Sequence, residues 1–133
     1  MFKWVDHLVI AVNDLDEAVK SYEEKLGLKA QDVGQEQPQL GLRNAILPLD
    51  EGGRFIELAE PLGPDTPVGR SLQRRGEGLH LAAIAVEDLQ EAVAALKSRG
   101  VQLIEAGGVF IHPRETHGIL FQLVERREDG PSS

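Results

Sequence analysis

The chain has 133 residues, 41% of them hydrophobic and 27% charged, with a net charge of −8 and no cysteine. This suits one domain with its own core and excludes a disordered chain, disulfides, zinc–thiolate sites and thiol chemistry. The acidic balance argues against nucleic-acid and anionic-membrane partners, and no apolar run reaches the ~20 residues of a membrane helix.

Taken in order, the N-terminal stretch MFKWVDHLVIAV does not read as a signal peptide, so a cytoplasmic location is expected. It predicts a strand over residues 2–12. Asp14 then caps a helix, with Glu17 at capping-box spacing and a buried stripe of Leu15, Ala18, Val19, Tyr22 and Leu26 that Gly27 ends. A short strand over 28–33 and a polar loop broken by Pro38 follow, then strands over 42–49 and 54–59 joined by a turn at 50–53. The connector EPLGPDTPVG, with three prolines and two glycines, leads to a short helix over 70–75. The second half repeats the first: a strand over 79–86, a helix over 88–99 with stripe Leu89, Ala92, Val93 and Leu96, a Gly100 stop, and strands over 101–104, 109–111 and 118–125.

The repeat is dense. HLVIAVNDLDEAV (7–19) matches HLAAIAVEDLQEAV (80–93), and FIELAE (55–60) is echoed by LFQLVE (120–125). Two copies of one supersecondary unit therefore build the chain. The predicted architecture is α+β: two tandem β-α-β-β-β modules (about 1–60 and 78–126), a connector (61–77) and a polar tail (127–133). Neither module has a core of its own, so the two pair into a curved mixed sheet around a central cleft.

Strand parity places His7 on one face with Val5, Val9 and Ala11, sets Glu57 out of phase with Ile56 and Leu58, and sets Gln122 out of phase with Ile119, Phe121 and Leu123. Three polar side chains interrupting apolar patterns need partners when buried, and a divalent cation would supply one to each.

These residues and modules resemble the vicinal oxygen chelate (glyoxalase/bleomycin resistance) superfamily. The stretches ELAEPLGPDTPVGRSLQRRGEGLH (57–80), AVEDLQEAVAALKSRGVQLI (85–104) and HP followed by HGILFQL (112–123) are most similar to methylmalonyl-CoA epimerases. The resemblance implies one divalent metal (Co, Ni, Zn, Mn or Mg) held by four strands, with His7 and Glu57 at the first two ligand positions. The third position holds Leu81; the adjacent His80 replaces it as a ligand only if a bulge re-aims its side chain, and is otherwise structural, while the fourth position holds Gln122 in place of the usual Glu. Asn44 occupies the position of the family's base. The implied chemistry is metal-assisted proton transfer beside a carbonyl or thioester, on a small-molecule acid or acyl-CoA, in a homodimer with Phe2 and Trp4 at the interface.

Each assignment has a plainer alternative. His7 is otherwise a hydrogen-bonded core histidine, Glu57 a solvated sheet residue and Gln122 a hydrogen-bonding amide. His112 with Pro113 forms a turn, while His117 is a candidate acid/base group. Arg70, Arg74 and Arg75 form either a charged helix face or a contact for ligand phosphates. At the level of the whole chain, a metal-free small-molecule-binding or metal-independent member of the superfamily is the alternative to a metal-dependent enzyme, and a scaffold with an inactive site is a third reading.

Overall fold

The computed structural model describes residues 1–127, and in it the sequence repeat becomes one hydrogen-bonding scheme used twice. The first module runs β1 (Phe2–Ala11), α1 (Leu15–Leu26), β2 (Gln31–Gln37), β3 (Leu42–Pro48) and β4 (Phe55–Pro61). After α2 (Pro67–Arg75), the second runs β5 (Gly78–Val86), α3 (Leu89–Ser98), β6 (Leu103–Glu105), β7 (Val109–Ile111) and β8 (Phe121–Glu125), with a 3-10 turn at Pro113–Glu115.

All eight strands form one sheet in the order β2-β3-β4-β1-β5-β8-β7-β6. Each module pairs its first and last strands in parallel, β1 with β4 and β5 with β8. The antiparallel β1–β5 pair joins the modules at the centre.

The helix starts are duplicated as well. Asp14 accepts a hydrogen bond from Glu17 N (3.1 Å), and Asp88 accepts one from Glu91 N (3.0 Å). A further first-turn N–H is satisfied from across the sheet: Glu60 accepts from Leu15 N at 2.7 Å, and Glu125 accepts from Leu89 N at 2.9 Å. These acids close the echoed segments FIELAE and LFQLVE. They complement the positive end of each helix dipole while tying each helix to its module's last strand.

The two helices bury most of each stripe on the outer face, although Leu26, expected to end the α1 stripe, is 61% exposed. The α1 residues Leu15 and Val19 pack with Ala45, Leu47 and Leu58, and α3 residues Ala92 and Leu96 pack with Val86, Ile111 and Leu123. On the inner face lie Val9, Ala11, Leu42, Ala59, Leu81 and Ala83, packed against Val68 and Leu72 of α2. The connector shapes itself to deliver that helix: Thr66 caps it, Pro67 opens it, and Gly69 passes so close to Gly63 and Pro64 that a Cβ would sit 2.5 Å from a carbonyl oxygen.

The structure corrects several expectations. The strand expected over 28–33 is β2, shifted to Gln31–Gln37 so that it takes in much of the polar segment expected as a loop, and it pairs with β3 at the sheet edge. Almost nothing of it is buried, so it carries no apolar alternation to betray a strand, and φ values of 51° at Asp32 and 83° at Gly34 break its regularity. The connector helix begins at Pro67 rather than Arg70. Val5 does not share a face with His7: a register shift pairs Val5 with Ile84 and His7 with Ala83, which turns Val5 outward, 53% exposed. Beyond Arg127, the expected polar tail lies outside the described residues.

Glu125→Ala removes the cross-sheet cap of α3. It should cost about 1–2 kcal/mol in chemical denaturation, an effect typical of a lost helix cap.

Candidate functional site

Register decides which side chains meet on the inner face. His7 pairs with both Phe55 and Ala83, Val9 with both Glu57 and Leu81, and Ala83 with Gln122. Directly paired residues share a face, so His7, Glu57, Leu81 and Gln122 all lie on the inner face of four adjacent strands, β4-β1-β5-β8. Asn44 pairs with Ala59 and therefore joins them from β3. The sheet thus brings together Asn44, Glu57, His7 and Gln122, with Leu81 among them.

Asn44 Nδ2 donates to Glu57 Oε2 at 3.1 Å, so the residue at the expected base position is an amide steadying a carboxylate. His7 stacks on Phe55, with ring centroids 4.3 Å apart and planes 9° from parallel. Its Nδ1 lies 2.8 Å from Asp6 Oδ2. Arg126 clamps the same carboxylate with two nitrogens, Nε to Oδ1 at 3.1 Å and Nη2 to Oδ2 at 3.2 Å. Neighbouring strand residues ordinarily point apart; Asp6 reaches His7 because it is the extra residue of the bulge between Val5 and His7. Arg126 continues the inner-face alternation of Gln122 and Val124. Asp6 is only 3% exposed. Burial works to raise its pKa, but hydrogen bonds from His7 and Arg126 and the charges of both outweigh it and hold the carboxyl below its usual range.

A second bulge falls at the equivalent place in β5. Val9 pairs with Leu81 and Ile10 with Leu79, leaving His80 as the extra residue. In the repeat His80 corresponds to Asp6, and Leu81 to His7. Where Asp6 finds an imidazole beside it, His80 finds a leucine, and its buried Nδ1 has no hydrogen-bond partner among the described residues. Desolvation, followed by the charges of Arg75 and Arg74, pushes the His80 pKa down to about 4, so at neutral pH it is uncharged.

The other expected residues lie elsewhere. His117 is exposed, in a left-handed turn (φ 62°) before β8. His112 caps the 3-10 turn by accepting from Arg114 N at 3.0 Å, the turn role expected of it. Arg70 is paired with Asp65 at 3.0 Å, Arg75 donates to Ser71, and Arg74 is exposed near the C-terminal end of α2. Phe2 is exposed, but Trp4 is half-buried between Lys3 and Arg54, cations 5.1 and 4.7 Å from its ring centroid. That leaves less apolar surface for the expected dimer contact. Asp6 and Arg126 are the site residues that sequence reasoning missed. The available signal was an acid set inside an apolar strand, a charge that has to be paired if buried.

Two open grooves, about 410 and 360 Å³, lie beside α1 and α3 and are lined by equivalent residues, Asp14, Glu17 and Ala18 in one and Asp88, Glu91 and Ala92 in the other. Neither contains Asn44, Glu57, His7 or Gln122, which lie together on the inner face.

Residues 5–130 match the glyoxalase-like domain family. The chain belongs to this family, part of the vicinal oxygen chelate superfamily. It is 37% identical to the uncharacterized protein YqjC of Bacillus subtilis, over 94% of both chains. It is 30% identical to the mitochondrial methylmalonyl-CoA epimerase of mouse, covering 90% of this chain and 71% of that protein. Among solved structures, methylmalonyl-CoA epimerase from Mycobacterium tuberculosis superposes with a TM-score of 0.84 at 30% identity, covering 99% of this chain and 90% of that one. A Streptomyces coelicolor epimerase variant, in complex with 2-nitronate-propionyl-CoA, gives 0.86 at 28% identity, covering 96% and 100%. The α+β architecture of this glyoxalase-like protein is thus that of methylmalonyl-CoA epimerases.

The side chains do not complete the four-ligand metal site that the resemblance implies. Among the described residues no three His, Cys, Asp or Glu side chains cluster closely enough to hold a cation. Leu81, 7% exposed and packed in the inner-face core, occupies the third position. Gln122 offers an uncharged amide, and one oxygen of Glu57 is already engaged by Asn44. A cation would find two strong donors here, His7 and Glu57.

The Asp6 cluster sets a pH dependence. A carboxyl with a depressed folded-state pKa stabilises the fold above its unfolded value of about 3.9, and that contribution is lost as pH falls through the lower folded value. Asp6→Asn should therefore flatten the acid limb of the stability–pH curve below about pH 4, as read by thermal melts.

Proposed function

We propose that this glyoxalase-like protein binds an acyl-CoA thioester, or a related small carboxylic acid, on the inner face and moves a proton beside its carbonyl, as an epimerase does. The observation that carries the reading is the register that gathers His7, Glu57, Asn44 and Gln122 over an apolar floor. Its support in chemical class comes from the relatives: one methylmalonyl-CoA epimerase structure holds methylmalonyl-CoA, and another holds 2-nitronate-propionyl-CoA.

Removing a proton beside a thioester carbonyl places negative charge on the carbonyl oxygen, which needs hydrogen-bond donors aimed at it. Asn44, with one amide hydrogen left after its bond to Glu57, and Gln122 are the donors on this face. Epimerisation takes a proton from one side of the carbon and returns one to the other, so it needs two proton carriers. Glu57, held by Asn44, and His7, whose Nε2 is left available, fill those roles. His117 stays outside the scheme because it is exposed on its turn. Arg74 and Arg75, at the end of α2, are the cations offered to the CoA phosphates.

One observation favours a second, metal-assisted reading. A carboxylate on the far nitrogen of an imidazole is how metal-binding histidines are commonly oriented, and Asp6 holds His7 in that way. In that reading His7, Glu57 and Gln122 would hold the cation, with water in place of the donor that Leu81 lacks, and the cation would stabilise the negative charge formed on the carbonyl oxygen.

Titration calorimetry with propionyl-CoA tests the reading. We expect saturable binding that Gln122→Ala, which removes a donor to the carbonyl, weakens about tenfold, and that the Arg74→Ala, Arg75→Ala double variant weakens with a shallower salt dependence. No binding of any acyl-CoA by the wild-type protein would contradict it.

A further inference from the structure

Three constraints converge on one imidazole. The His7 ring lies flat against Phe55, its Nδ1 is bound to Asp6, and its side chain is only 10% exposed. Asp6 is itself immobilised: buried, displaced onto the inner face by a bulge, and gripped through both oxygens by Arg126 from a distant part of the chain. A bidentate arginine–carboxylate pair fixes direction as well as charge. An ionised carboxylate only accepts hydrogen bonds, so the proton of a neutral His7 has to sit on Nδ1.

We propose that Asp6, clamped by Arg126, is the positioning residue of the inner face: it fixes His7 as the Nδ1–H tautomer, so that Nε2 presents its lone pair to whatever binds there. This rests on the functional reading above only for what binds; the tautomer itself is set by the Asp6 carboxylate, and Arg126 adds its hold on that carboxylate. It serves a bound proton donor and a bound cation alike, because both require a free lone pair at Nε2.

The equivalent position shows why the device is specific. His80 sits on the matching bulge of β5 beside Leu81, and among the described residues no partner pairs its buried Nδ1. The fold supplies the bulge in both modules, but only the first fills it with a working pair.

Nitrogen-15 NMR of the histidine rings tests the proposal at about pH 8.5, where an ordinary histidine is neutral. The four histidines are assigned by single substitution. In the wild type, His7 should show a protonated Nδ1 and an unprotonated Nε2. Asp6→Asn can donate as well as accept, so the Nε2–H form should rise to at least about half of the population. Arg126→Gln should lower the melting temperature as Asp6→Asn does, yet keep the Nδ1–H tautomer, which separates positioning from general loss of stability. A wild-type His7 carrying its proton on Nε2, or an Asp6→Asn protein with an unchanged tautomer, would overturn the proposal. The wild-type spectrum answers independently of any variant's folding. It also answers independently of acyl-CoA binding, so a protein that shows the stated tautomer but binds no thioester retains this inference and loses the functional one.

Discussion

The antiparallel pairing of β1 with β5 is the constraint on which the molecule depends. Each module alone is a short sheet with one helix on its outer face and an apolar inner face left uncovered. Joining the central strands makes one eight-stranded sheet and brings the two inner faces together beneath α2. It also sets the chemistry, because face-sharing across β4, β1, β5 and β8 follows from register. A one-residue slip in β1 would turn His7 away and replace it on the inner face with a neighbour from the outer side.

Duplication explains much of the rest. Asp14 and Asp88 begin equivalent helices, Glu60 and Glu125 cap them from equivalent strands, and Asp6 and His80 occupy equivalent bulges. The copies have diverged where chemistry is involved. His7 has become Leu81 and Glu57 has become Gln122 across the repeat, so the first module keeps the charged and ionisable groups while the second supplies packing and an amide. A buried leucine contributes about 1.5–3 kcal/mol through burial. Leu81 thus strengthens the core at the position where the family resemblance implies a donor.

Much of this was legible in the sequence. The repeat, both helix caps, the order of the elements and the inward placement of His7, Glu57 and Gln122 all follow from periodicity and parity. The connector that carries the strongest resemblance, EPLGPDTPVG, turns out to be structural: Thr66, Pro67 and Gly69 form and seat α2. Such a stretch reports on the fold and leaves the chemistry open. What stayed hidden were the bulges. Alternation assumes that every residue flips, so it placed Val5 beside His7 and could not bring Asp6 and His7 together or account for His80. Strand β2 was expected but set too early, over 28–33 rather than Gln31–Gln37, for a related reason: an exposed edge strand buries nothing, so no apolar pattern marks its bounds.

On the proposed function, the inner face moves a proton beside a thioester carbonyl with its own side chains. The most direct measurement is solvent deuterium incorporation at the α-carbon of methylmalonyl-CoA, followed by mass spectrometry with and without a strong chelator. The account predicts incorporation that the chelator does not suppress and that Glu57→Gln reduces at least about a hundredfold, the scale of general acid–base catalysis. Incorporation abolished by the chelator and restored by cobalt would contradict it in favour of a metal site, and no incorporation in any condition would contradict the proton-transfer claim itself.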